Sequence, residues 1–390
     1  MKETLKELEK HASERLAGIL REKERGKPLV EYTSTFIPEE LIRAAGANTY
    51  PMWRGGEAVA SDAVLDYMPR FIHPLARSMA GYMELGRDPV TPRADLLVAA
   101  QTDCHIDRIS ELLEYKGVRM SKVGVPADWM RDEALCYYVK SLRKMLCTVG
   151  EITGKSVDSE AALENFRVSN EIGASLRRIC ALRKKRAPIG FEDYMRLQHL
   201  SVTLCDPAYA AEACGRIADE LEAAPDCFPA GAPRVVLAGR AVAVGDYTVP
   251  RLLDECGCVV AAEILDECAR VTEKDLPLEG DPVLGFAKSR YRDKLPIDIF
   301  QPSWQKRFGR LEELIRECGA GGVIWYQLAY DEIYDMEYTC VAKWLGERNI
   351  PLLKLETDYS YTREQVGVLN ASIRAFTRTL SEGGKSAAQV

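Results

Sequence analysis

Histidine is scarce in this chain, with four residues in 390. His11 and His199 fall in stretches of helical pattern, which leaves His73 and His105, so no Ser-His-Asp arrangement can be argued. No apolar run approaches the length of about 18 residues that a bilayer span requires. The segment Met1 to Arg25 is charged throughout and has no apolar h-region. The expected location is therefore cytoplasmic, without membrane contact. Basic charge is not in excess either. The formal net charge of −7 gives nucleic acid no footing. The cluster Arg183-Lys184-Lys185-Arg186 lies in a helical stretch and reads as a solvated face. Gly239 and Gly245 follow a strand pattern, but the spacing is neither G-x-G-x-x-G nor the G-K-S/T of a P-loop. A tight turn explains them better than a nucleotide site.

Twelve cysteines are too irregularly placed for a secreted disulfide framework. Cys136, Cys147, Cys180 and Cys214 sit in helical patterns, where a free thiol behaves as a small buried hydrophobe. No internal repeat is evident. The order of elements is more informative. Residues 2–25 read as an amphipathic helix stopped by Gly26-Lys27-Pro28. A strand at Leu29–Tyr32, a polar loop Thr33-Ser34-Thr35 and a helix opened by Pro38-Glu39-Glu40 follow. Strands are expected at Asp95–Ala99 and Met120–Val125, with a helix near Asp107–Tyr115 between them. From Ala127 to Glu222 helical periodicity dominates. The Pro/Gly/Ala-rich stretch Pro225–Pro233 reads as a linker. Beyond it strands are expected at Arg234–Ala238, Cys258–Ile264, Gly321–Tyr326 and Pro351–Leu355. Helices are expected at Leu311–Cys318, Cys340–Glu347 and Glu364–Thr379, followed by a loose tail from Gly383. Alternating strands and helices make a parallel sheet. The fold class is α/β: two parallel-sheet, flavodoxin- or Rossmann-like domains joined by a mostly helical region. The expected divisions are residues 1–126, 127–230 and 231–390.

Cys104 ends the run Leu96-Leu97-Val98-Ala99-Ala100-Gln101-Thr102-Asp103 and reads as a thiol in the loop after a strand. In open α/β sheets ligands sit at that edge, and a thiolate there is a soft-metal ligand. The simpler reading is a small residue packed at a strand end. His105 follows directly, and in an extended segment it points the other way. Zinc held by Cys104 and one histidine would want ligands. The run Trp325 to Asp335 also follows a strand and sets Tyr330, Glu332 and Tyr334 at a sheet edge. Those groups suit proton transfer or ligand orientation, and the acids suit helix capping equally well.

Several segments, taken in order, resemble one family. They are Gly26-Lys27-Pro28-Leu29-Val30 with Ile37-Pro38-Glu39-Glu40-Leu41-Ile42; Pro74-Leu75-Ala76-Arg77-Ser78; Thr102-Asp103-Cys104; Gln327 to Asp335; and Asn349-Ile350-Pro351 with Glu356-Thr357-Asp358-Tyr359. The chain is similar to subunits of 2-hydroxyacyl-CoA dehydratase and benzoyl-CoA reductase, which are related to the double-cubane cluster proteins. The resemblance runs from about residue 26 to 376, nearly the whole chain. It implies a dimer of two such subunits, an acyl-CoA substrate and a 4Fe–4S cluster held by three cysteines. It also implies an ATP-dependent iron–sulfur activator that injects one electron, giving a radical elimination of water.

The resemblance places the middle cysteine at Cys104. His73 stands where the first belongs and Ala329 where the third belongs, while Ser34 stands at a further position that is often Cys. His73 and Cys104 are the cofactor-binding candidates, with Cys104 the iron–sulfur ligand. Ser34, Glu39, Tyr330, Glu332 and Tyr334 are the substrate-pocket candidates. With two of three thiolates missing, the expected role is an auxiliary subunit whose cysteine-complete paralogue carries the cluster. The alternative is a cluster-free homodimer that binds a CoA ester or another small molecule in a vacated pocket. Zinc-assisted dehydration by His73, Cys104 and Glu332 is a third reading.

Overall fold

The computed structural model describes residues 1–295 and 303–387. Its first half runs α1 (Lys2–Glu24), β1 (Leu29–Tyr32), α2 (Glu39–Ala44), β2 (Asn48–Pro51), α3 (Ala58–Asp62), α4 (Pro74–Glu84), β3 (Leu96–Gln101), α5 (Cys104–Tyr115) and β4 (Met120–Gly124). Four long helices follow: α6 (Asp132–Thr153), α7 (Ser159–Lys185), α8 (Phe191–Thr203) and α9 (Pro207–Ala223). The second half runs β5 (Arg234–Gly239), α10 (Thr248–Glu255), β6 (Val259–Leu265), α11 (Pro282–Ala287), α12 (Ser303–Cys318), β7 (Gly322–Leu328), α13 (Glu332–Gly346), β8 (Leu352–Thr357) and α14 (Arg363–Ala387).

The molecule is α/β, with two parallel-sheet domains. The first sheet has the order β2-β1-β3-β4 and the second β6-β5-β7-β8, the same 2-1-3-4 winding. All pairings are parallel. Strands such as Leu96-Leu97-Val98-Ala99-Ala100 are buried along their length, as helices on both faces require. The long helices form by stripe and cap. In α6, Tyr138, Leu142, Met145 and Val149 recur at helical spacing and are buried. Gly154 ends that helix at φ 71°. In α7, Asp158 accepts the N–H of Ala161. One apolar core joins both sheets and the helical layer.

Several expectations are corrected. Strand β2 shows no strand pattern, because Asn-Thr-Tyr-Pro is a short sheet-edge segment ended by proline. Helices α12 and α13 begin eight residues before Leu311 and Cys340 respectively, and their first turns, Ser-Trp-Gln-Lys and Glu-Ile-Tyr-Asp, carry no apolar stripe. Helix α14 continues through Ala387, past the expected end at Thr379 and into the tail expected to be loose. Cys136 and Cys147 are exposed on α6, whereas Cys214 is buried as expected. Among the described residues, no helix is long and apolar enough to cross a membrane.

Candidate functional site

In a 2-1-3-4 sheet, connections leave in opposite directions from the C-terminal ends of strands 1 and 3, which opens a crevice there. The two crevices of this chain meet. From the first sheet come the loop after β1 (Ser34, Thr35) and the start of α5 (Asp103 to His105). The second sheet brings Gly239-Arg240 after β5, Asp266-Glu267 after β6, and Ala329 to Glu332 after β7. Contacts across the junction are direct. Oγ of Ser34 donates to Oε1 of Glu267 at 2.6 Å, and the N–H of Thr35 donates to Oε2 at 3.0 Å. Nε2 of His105 lies 3.1 Å from Oε2 of Glu332.

Arg240 stands at the centre. Its backbone is delivered by Gly239, at φ 129°, where a Cβ would lie 2.1 Å from the carbonyl oxygen of Tyr326. Only glycine fits that approach, which accounts for the glycine as the sharp turn expected there. The guanidinium donates from Nη1 to Oδ2 of Asp266 at 2.6 Å. Nη2 lies 3.0 Å from Nε2 of His73 and 3.4 Å from Oδ2 of Asp103. Nε lies 3.2 Å from Oδ2 of Asp331, although the N–H does not point at that oxygen. The ring of Tyr334 lies beneath the cation, 5.2 Å from its centroid. Burial works against the charge, but the carboxylates of Asp266 and Asp331 outweigh it and hold the arginine well above its ordinary pKa. Burial lifts Asp331 to about 6, with Arg240 opposing.

His73 caps α4, and its Nδ1 faces the N–H of Ala76 at 3.1 Å. Its ring stacks on that of His105 at 4.7 Å, and the backbone N–H of His73 donates to Nδ1 of His105 at 2.9 Å. Burial first, then the Arg240 cation, keeps its pKa well below the ordinary histidine value. The neutral ring has one lone pair, and N–H donors face both of its nitrogens. None is left for iron.

Cys104 is not in a loop. It is the first residue of α5, behind Asp103, whose carboxylate caps Ile106 at 2.9 Å. It is exposed, not packed at a strand end. His105 therefore follows it around a helical turn and turns inward, rather than alternating across a strand. Partial burial of the thiol, then the carboxylates of Asp103 and Glu332, push the Cys104 pKa up.

The remaining candidates divide. Ser34, Glu332 and Tyr334 belong to the junction. Tyr334 is buried against Arg240, while its hydroxyl has no hydrogen-bond partner among the described residues. Glu39 lies deeper, at the start of α2. Burial raises its pKa, but Arg43 at 3.0 Å and Arg270 at 3.6 Å prevail and lower it. Tyr330 points elsewhere. At φ 65° it lines an open cavity of about 700 Å³ beside Ala329, with Asp335, Glu356, Asp358 and Glu364 among the lining residues.

The resemblance implies three thiolates, and the residues present do not fit them. One position is a lone thiol, one a fully engaged imidazole, and one a methyl group. Among the described residues, no group of three or more His, Cys, Asp or Glu side chains is arranged to hold a metal ion. Arg240, Asp266 and Glu267 escape a sequence reading. Their one signal is position, since each follows a strand at the edge where sites form.

Two facing parallel sheets with a buried polar junction at their switch points define a two-domain α/β protein whose site belongs to both halves. The chain belongs to the family of the 2-hydroxyglutaryl-CoA dehydratase D-component, whose model matches residues 34–380. It is 24% identical over 365 residues to a protein of Escherichia coli named "Putative dehydratase subunit YjiM", covering 92% of this chain and 93% of that one. It is 23% identical over 396 residues to (R)-2-hydroxyglutaryl-CoA dehydratase, subunit beta, of Acidaminococcus fermentans, covering 96% and 98%.

Proposed function

We propose that this chain is the auxiliary, cluster-free subunit of a 2-hydroxyacyl-CoA dehydratase-type complex. A cysteine-complete paralogue carries the 4Fe–4S cluster and receives the electron from an ATP-dependent activator. This chain closes the acyl-CoA channel. The family membership supports a dehydratase-type subunit. The observation that carries the auxiliary role is Arg240, a guanidinium locked to His73, Asp103 and Asp266 at the junction of the sheets. A permanent cation there does what a resident charge can do for structure, tying the two halves together. It offers no electron and no open coordination position, so the chemistry belongs to the partner.

The homodimeric reading needs a vacated pocket lined by His73, Cys104, Tyr330 and Glu332. His73 is instead buried under Arg240, and Tyr330 faces the acid-lined cavity beside Ala329. Of its four carboxylates Asp335 and Glu356 share the single cation of Lys354, so the surplus is negative and opposes the phosphates of a CoA ester. The three-ligand zinc reading meets the same engaged imidazole.

The test is iron and sulfide analysis after anaerobic purification and reconstitution, alone and co-expressed with a cysteine-complete paralogue. Alone, the chain should be colourless, with iron well below the four per chain of one cubane cluster. Co-expressed, it should co-purify in a brown complex whose iron survives Cys104→Ala in this chain. A brown isolated chain that loses its iron on Cys104→Ala would sink the reading.

A further inference from the structure

The first sheet holds a carboxyl where parallel sheets are apolar. Glu31 lies in β1, flanked by β2 and β3, and is 2% exposed. Its Oε2 lies 2.7 Å from Oγ1 of Thr91. The same hydroxyl bonds Oδ2 of Asp88, whose other oxygen accepts the N–H groups of Val90 and Thr91. A hydroxyl has one proton to give. When it goes to Asp88, the proton between Glu31 and Thr91 has to come from Glu31. Burial, with Asp88 nearby, holds the Glu31 carboxyl well above the usual carboxylate range, in agreement with this arrangement. The second oxygen, Oε1, then carries lone pairs only, and among the described residues nothing bonds it.

Glu31 lines a cavity of about 260 Å³. Its walls include Tyr50, Trp53, Met79 and Tyr82. The indole N–H of Trp53 is already given to the carbonyl of Thr33, and the single hydroxyl proton of Tyr82 is taken up between the carbonyl of Gly55 and the carboxylate of Glu57, so these two walls offer rings rather than donors. Arg54 also lines it, half exposed, stacked over Tyr82 at 4.1 Å and paired with Glu57. An apolar cavity of about 150 Å³ takes a benzene ring, so this one has room for a fused bicycle. Arg54 and Arg87 at the mouth are balanced by Glu57, which pairs with both, and by Asp88 on the wall, so the lining has no net charge to draw an ion. An anion would meet the lone pairs of Oε1. What fits is neutral, flat and carries a donor.

We propose that this cavity binds a small neutral aromatic molecule that donates a hydroxyl or N–H hydrogen bond to Oε1 of Glu31. The inference does not rest on the dehydratase reading, and the cavity shares no residue with the Arg240 junction.

The probes are indole and 1-benzothiophene, the same bicycle with sulfur in place of the N–H. They are titrated into the full chain by calorimetry, with ligand-observed NMR as a second readout. Indole should bind saturably at one site per chain, and benzothiophene at least about tenfold more weakly. In Glu31→Gln the amide donates to Thr91 and keeps a carbonyl oxygen for the ligand, so indole affinity should stay within about threefold. Glu31→Leu should lower it about tenfold, and Met79→Trp, which fills the cavity, should abolish it. Equal affinity of the two probes for the wild-type chain overturns the proposal. So does absence of saturable binding up to their solubility, or unchanged indole binding in Met79→Trp. The wild-type comparison decides the matter even where Glu31→Leu fails to fold.

Discussion

At the scale of single residues, Arg240 and Asp246 show how burial sets the terms. Removing one member of a buried ionic group leaves the others uncompensated and costs about 3–5 kcal/mol. Arg240→Leu leaves Asp266, Asp331 and Asp103 without their cation. We expect a loss of that size in urea denaturation near neutral pH. The loss should shrink in mild acid, where the orphaned carboxyls take up protons. A variant as stable as wild type would show that the cation contributes nothing. Asp246 is 1% exposed. Burial lifts its carboxyl from 3.8 to about 6, although Tyr326 and Tyr361 donate to it at 3.0 and 2.9 Å. The folded chain thus holds this proton more tightly than the unfolded chain. Its contribution to stability is full below about pH 4 and is lost as the pH rises through about 6. Asparagine has no such dependence. Asp246→Asn should therefore gain on wild type by about 2–3 kcal/mol between about pH 4 and pH 7, read from urea midpoints. A difference that stays flat with pH would contradict the raised pKa.

At the scale of elements, the strands were legible because apolar runs and turn signals coincide. The strand expected at Gly321–Tyr326 is found at Gly322–Leu328, and that expected at Met120–Val125 at Met120–Gly124. Helix starts were less legible. Cys104 reads as loop because Thr-Asp-Cys-His carries no apolar stripe, yet the Asp103 cap begins α5 at that residue. A close helix contact is equally invisible in sequence. Gly81 of α4 faces α3 so closely that a Cβ would lie 1.7 Å from the carbonyl oxygen of Ala60. Gly81→Ala must push the two helices apart. We expect a cost of about 1–3 kcal/mol or more, seen as a lower midpoint of thermal unfolding. An unchanged midpoint would mean that α3 yields freely.

At the scale of the whole molecule, the sequence by itself determined two parallel sheets, a helical layer between them and the family. These depend on local periodicity and on motifs in order, and each segment carries its own signal. It also determined which thiolates are missing, because the position of a cysteine is a fact of the chain. Only the tertiary structure decided what stands at the junction instead. Residues 73, 103, 240, 266 and 331 are far apart in sequence, and no local pattern says that one arginine will meet a histidine and three aspartates. They meet because two sheets of the same winding bring their switch points together, and a buried guanidinium is tolerated only where carboxylates surround it. The Glu31 cavity follows the same division. The chain shows a glutamate in a strand, and packing alone sets that residue in the wall of a cavity with one oxygen unbonded among the described residues.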